Sequence, residues 1–117
     1  MKLRLRANTI RLRLLKGEVD HLALGHTIVE TLPTPRPFHF AVHPTHVEDL
    51  TASYNDDTLT LAVPRDWAAQ WASNDEEVGR SAKTGNLDIL IEKDWACTTA
   101  RDSAEDRDTY PNPTALR

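Results

Sequence analysis

Residues 2–14 read KLRLRANTIRLRL, an alternation of basic and aliphatic residues that breaks once and resumes out of step. A period of two sends successive side chains to opposite faces of a strand, so a chain that carries it must bury the aliphatic set against something. Leu3 and Leu5 have one parity and Ile10, Leu12 and Leu14 the other, so Ala7-Asn8 must reset the phase. Two structures do this. A two-residue hairpin loop at Ala7-Asn8 pairs Leu5 with Ile10 and Leu3 with Leu12, but it sets Arg4 opposite Arg11 and places Ala7 in a turn that favours glycine. A single long strand with a β-bulge at Asn8 avoids both. Either way Lys2, Arg4, Arg6, Arg11 and Arg13 share the face turned away from the core.

Downstream, KGEVDHLALGH has Val19, Leu22 and Ala23 at helical spacing and stops at Gly25, which predicts a helix over 17–24. TIVETL reads as a strand, PTPRP as a stiff connector, and FHFAVH as a half-buried strand with the phenylalanines inward and the histidines outward. In LTASYNDDTLTLAV a loop at Asp56-Asp57 pairs Tyr54 with Leu59, Ala52 with Leu61 and Leu50 with Val63, all apolar on one face. PRDWAAQWASND follows as a second helix, with Pro64 suited to its first turn and Trp67 and Trp71 four apart. A loop at Gly85-Asn86 then pairs Ala82 with Ile89 and Arg80 with Ile91.

Hairpins outnumber strand–helix–strand units, so the expected fold is α+β: one small domain over 1–100, mostly antiparallel, with about six or seven short strands and two short helices. No internal repeat of useful length is visible. Residues 101–117 lose periodicity and read as an irregular tail, from which Tyr110 to Pro113 pack back on the domain. One cysteine, no apolar leader and no twenty-residue apolar run suggest a soluble, cytoplasmic protein with no membrane partner. With 14 Lys plus Arg against 18 Asp plus Glu the chain lacks the overall basic footprint of a nucleic-acid binder, so any anion site is local.

The Arg-Leu opening, LTLAVP before a Trp-bearing helix, IEKDWAC and the later YPNP together resemble a family of small bacterial proteins of unknown function. The resemblance spans nearly the whole chain and implies no activity. It implies that Lys93, Asp94, Trp95, Cys97 and the tail residues Pro111, Asn112 and Pro113 belong together.

Four sets of residues have side chains fit for chemistry or recognition. Cys97 is the one thiol and has five histidines elsewhere to serve as a base, but only Lys93 stands beside it to lower its pKa while Asp94 opposes ionisation, so a small buried side chain is the commoner use. His39, His43 and His46 fall within eight residues. His39 and His43 stand about 13 Å apart on one strand face, so only a bend at Pro44, bringing His43 to His46, makes a metal site; solvent-facing histidines are the alternative. Trp67 and Trp71 suit a ligand or partner surface or, more often, a core. Arg4, Arg6, Arg11 and Arg13 suit a polyanion, or a face neutralised by residues 102–108 or by Glu18, Asp20 and Glu30; with no aromatics to stack on bases, nucleic acid is not the expected partner. No glycine-rich phosphate loop, nucleophile elbow or zinc-protease helix occurs. The expectation is a non-enzymatic binding or scaffolding domain with no cofactor and no partner the sequence can name, self-associating as a homodimer through sheet edges or the Trp helix. An enzyme using Cys97, or a metal at the histidines, is the alternative from another class.

Overall fold

The computed structural model describes residues 1–95. The chain runs β1 (Lys2–Arg6), β2 (Thr9–Leu14), α1 (Lys16–Ala23), β3 (Ile28–Leu32), β4 (Phe38–Thr45), β5 (Thr51–Asn55), β6 (Thr58–Pro64), α2 (Arg65–Ser73), β7 (Gly79–Thr84) and β8 (Leu87–Lys93). The strands form two four-stranded sheets, β1-β2-β8-β7 (sheet 1) and β3-β4-β6-β5 (sheet 2). The α+β class is as expected. The strand count is eight among the described residues because the opening is a hairpin, with Leu3 opposite Leu12, Arg4 opposite Arg11 and Leu5 opposite Ile10.

Ala7 takes φ 48 in that turn, whereas Asp56 and Asp57 share the load in the equivalent turn at φ 52 and 58. The backbone holds an alanine there because the buried Ile10, Leu12 and Leu14 of β2 fix the register of the hairpin, while Leu3 alone packs β1 against the core. The Tyr54–Leu59, Ala52–Leu61, Ala82–Ile89 and Arg80–Ile91 pairs also form as the sequence predicts.

Each sheet joins two hairpins through a parallel seam between inner strands, β2 on β8 and β4 on β6. The order hairpin–helix–hairpin occurs twice, β1β2–α1–β3β4 and β5β6–α2–β7β8, and each sheet takes one hairpin from each half. The topology is thus an internal repeat, which the sequence reading did not expect. One constant shift in numbering lays β1 on β5, the turn Ala7-Asn8 on Asp56-Asp57, β2 on β6, α1 on α2 and β4 on β8. Among the paired positions from Lys2 to Gly25 only Thr9/Thr58, Leu12/Leu61 and Ala23/Ala72 are identical, which is why the repeat is invisible to the eye.

α1 ends as Gly25 predicts: at φ +89 it is the left-handed residue of a Schellman turn, with its N–H on the Leu22 carbonyl and the His26 N–H on that of His21. At the other end the Glu18 carboxylate accepts the Leu15 N–H at 2.8 Å. Pro64 closes β6 and stands one residue before α2 rather than in its first turn.

The two helices pack on each other, and one core gathers Leu12, Leu14, Ile89 and Ile91 from sheet 1, Val42, Leu61 and Val63 from sheet 2, and Val19, Leu22, Ala68 and Trp71 from the helices. Trp71 is fully buried and Trp67 is 9 % exposed, with their rings stacked at 4.7 Å. Both indole N–H groups are satisfied by Glu77, Trp67 by its carboxylate at 2.6 Å and Trp71 by its carbonyl at 3.0 Å. Arg80 covers the Trp67 ring at 5.5 Å and donates to Asp49 at 2.9 Å. The Leu50 N–H and Arg80 together hold the Asp49 carboxyl below the usual range.

The helices cover one end of the apolar interior, and the hairpin turns lie at the other. There Leu5, Leu32 and Tyr54 are more than half exposed, and Phe38 lies 6.2 Å from Tyr54 and 6.3 Å from Phe40. Among the described residues no helix is long and apolar enough to cross a membrane. The expected tail segment, 101–117, lies outside the described residues.

Three predictions follow from this packing. Leu12→Ala should destabilise by about 2–5 kcal/mol in urea unfolding and Leu5→Ala by under about 1, because only Leu12 leaves a cavity; equal losses would contradict the exposure of Leu5. Ala7→Gly should stabilise by roughly 1 kcal/mol in the same assay by relieving the left-handed φ. The Met1 amine lies 2.9 Å from both Glu18 and Glu30; burial works against its charge, but the bonds and charges of the two carboxylates raise its pKa above 8.0 overall. A raised amine stabilises the fold fully below its unfolded value, and that stability is lost as pH rises through the folded value. The urea midpoint should fall between pH 7 and 10, and fall less in a Glu18→Gln/Glu30→Gln variant.

Candidate anion-binding face

The register of sheet 1 fixes its outer face in three rows: Lys2–Arg13–Glu92–Gly79, Arg4–Arg11–Leu90–Ser81 and Arg6–Thr9–Asp88–Lys83. All five N-terminal cations therefore stand on two adjacent strands, as the alternation predicts. Two depressions lie among them. One, of about 200 Å³, is lined by Lys2, Leu3, Arg4, Arg11 and Arg13. The other, of about 220 Å³, is lined by Arg4, Arg6, Thr9 and Arg11, so Arg4 and Arg11 border both.

The counter-charge comes from the neighbouring strand. Glu92 is 13 % exposed, and its Oε1 accepts from Arg11 Nε at 2.7 Å, Arg11 Nη2 at 2.6 Å and Arg13 Nε at 2.9 Å. Lys2 meets Asp94 at 3.1 Å. The acids expected to neutralise the face are otherwise engaged: Glu18 and Glu30 hold the Met1 amine, and Asp20 pairs with Lys16 on α1. Residues 102–108 lie outside the described residues.

Glu92 is the residue the sequence reading missed. Its outward direction was legible, since it alternates with Ile89 and Ile91 in LDILIEK, but the strand beside it was not. Gly79, directly across from it on β7, makes room for it: a Cβ there would collide with the Ile91 carbonyl and lie 2.7 Å from Glu92 Cα.

The other candidates are dispersed. His39 and His43 face outward from sheet 2, accepting or donating at Nδ1 to Thr31 at 2.8 Å and Thr27 at 2.7 Å. β4 runs on through Pro44 to Thr45 without the bend that would bring His43 and His46 together, and both histidines are exposed. No group of three or more His, Cys, Asp or Glu among the described residues is placed to hold a metal ion. Trp67 and Trp71 serve the core, the commoner of their two uses, rather than a partner surface. Cys97 lies outside the described residues.

The cavity of about 280 Å³ at the helix end is lined by apolar Leu14, Val19, Ala72 and Trp95, with Lys16 and Lys93 among its charged residues. Lys93 is committed, donating to the Asn74 carbonyl at 2.7 Å and lying 5.8 and 5.9 Å from the rings of Trp71 and Trp95. That draws the Lys93 and Trp95 of the IEKDWAC stretch to one place.

No curated protein and no solved structure matches the chain. It belongs to a family of unknown function, DUF7009, whose pattern matches residues 1–114.

Proposed function

We propose that the protein is a non-enzymatic binding domain that takes up a phosphate- or sulfate-bearing polyanion on the outer face of sheet 1. The observation that carries this reading is the comparison the molecule makes with itself. The shift that overlays the two halves lays Lys2 on Thr51, Arg4 on Ser53, Arg6 on Asn55, Arg11 on Thr60 and Arg13 on Ala62. The same strands, at the same positions, form the same sheet with small neutral residues. The architecture does not require the cations, and a solvated face needs nothing so uniform. Lys2, Arg4, Arg6, Arg11 and Arg13 outnumber the acids Glu92, Asp94 and Asp88 beside them, so in a chain of net charge −4 this face keeps a local excess of positive charge.

The face carries no Phe, Tyr or Trp, so a partner is held by charge and hydrogen bonds rather than by stacking on bases. Binding by phosphate or sulfate contacts of this kind releases counterions and weakens steeply with salt.

Heparin, as a generic polyanion, tests it. Wild-type protein should be retained on immobilised heparin at low salt. An Arg4→Gln/Arg11→Gln/Arg13→Gln variant should pass through, and because it strips the largely buried Glu92 of its ion pairs, its circular dichroism spectrum is recorded alongside to show that it is folded. In solution the slope of log affinity against log salt should fall by about 3, roughly one per lost contact. Wild-type protein that is not retained, or a triple variant retained as well as wild type, would overturn the reading.

A further inference from the structure

We infer that Glu92 is a positioning residue that sets Arg11 and Arg13 as a rigid pair of forks for phosphate, and that the ligand class is a chain of linked phosphates. The inference rests on the polyanion reading of the face and goes one step further, from charge to geometry. A diffuse polyanion surface gains from every cation it can expose and loses by each acid placed among them. Here the acid that meets Arg11 and Arg13 is mostly buried, and a single oxygen of it accepts from the Nε of both.

An arginine held at Nε keeps its outer edge available while losing much of the side-chain freedom that a ligand would otherwise have to freeze out. Arg11 and Arg13 are 29 % and 43 % exposed, so both remain reachable from solvent. The position equivalent to Glu92 in the other half is His43, which bonds Thr27 and has only Ala62 and Thr60 as counterparts to the two arginines. The clamp and the arginines thus occur together on sheet 1 and are missing together from sheet 2.

Linked phosphates follow from the two depressions. They share Arg4 and Arg11 and are displaced along the strands by one row, roughly 7 Å at two residues per row. A ligand spanning both must present successive anionic groups at short spacing with no bulky apolar body, since Leu3 is the one apolar lining residue of either. Inorganic tripolyphosphate is the simplest probe of that description.

The test sets geometry against charge, because the two predict opposite signs. Tripolyphosphate is titrated calorimetrically into wild-type protein, Glu92→Gln and the charge-conserving Arg11→Lys/Arg13→Lys variant, with heparin retention measured in parallel. On charge alone Glu92→Gln, whose face has gained a unit of positive charge, binds at least as tightly as wild type, and the lysine variant is unchanged. The clamp predicts that both variants bind tripolyphosphate about tenfold or more weakly, the worth of a lost charge-assisted fork, while Glu92→Gln elutes from heparin at the same salt as wild type or later. A Glu92→Gln protein that binds tripolyphosphate as tightly as wild type, or a lysine variant that does so, overturns the clamp and leaves the polyanion face standing. Wild-type protein that binds neither tripolyphosphate nor heparin removes the face itself. Should Glu92→Gln fail to fold, the lysine variant, which keeps Glu92 and every charge, decides alone.

Discussion

Two parallel seams, β2 on β8 and β4 on β6, carry the architecture. A hairpin by itself buries one face poorly and is marginal in water, and among the described residues every strand belongs to a hairpin. The seams join these hairpins in pairs, and each pair brings together one hairpin from the first half of the chain and one from the second. Only then do two apolar faces of sufficient width exist to close on the helices, with Leu14, Leu22, Trp71 and Ile91 wholly inside. The polar side of the arrangement has the same origin. Glu92 reaches Arg11 and Arg13 solely because β8 lies against β2.

What the sequence discloses and what it hides divide along the same line. Hairpin registers depend on parity and turn length over a dozen residues, and those at Asp56-Asp57 and Gly85-Asn86 are readable for that reason. The choice between a hairpin and a bulged strand at Ala7-Asn8 is not, because both local objections to the hairpin are answered from afar. The opposition of Arg4 and Arg11 is eased by a carboxylate on β8, and the φ of Ala7 follows from a register set by the buried residues of β2. The basic face was legible as a face, and its counter-charge was not. Aromatic stacking told a similar story: Trp67 and Trp71 were visible as a pair, but their burial depends on Glu77 closing both indole N–H groups from the loop beyond α2.

The repeat explains how one fold presents two unlike surfaces. The core positions are aliphatic or aromatic in both halves, Leu12 with Leu61, Leu14 with Val63 and Leu22 with Trp71, because the packing permits little else. The outward positions carry no such restriction. On sheet 1 they hold arginine, and on sheet 2 threonine, serine and alanine. The repeat thus conserves the kind of side chain that faces the core and leaves the outer faces free to differ in charge.

The two seams differ in the distance along the chain that each must close. That of sheet 2 joins His39 to Thr58, a short excursion through β5, whereas that of sheet 1 joins Thr9 to Asp88, nearly the whole described chain. Closing the longer span carries the larger loop-closure entropy. The arginine pair sits on one strand of that seam and its carboxylate on the other. The carboxylate of Glu92 and the two arginines thus tie together the paired strands that stand farthest apart along the described chain.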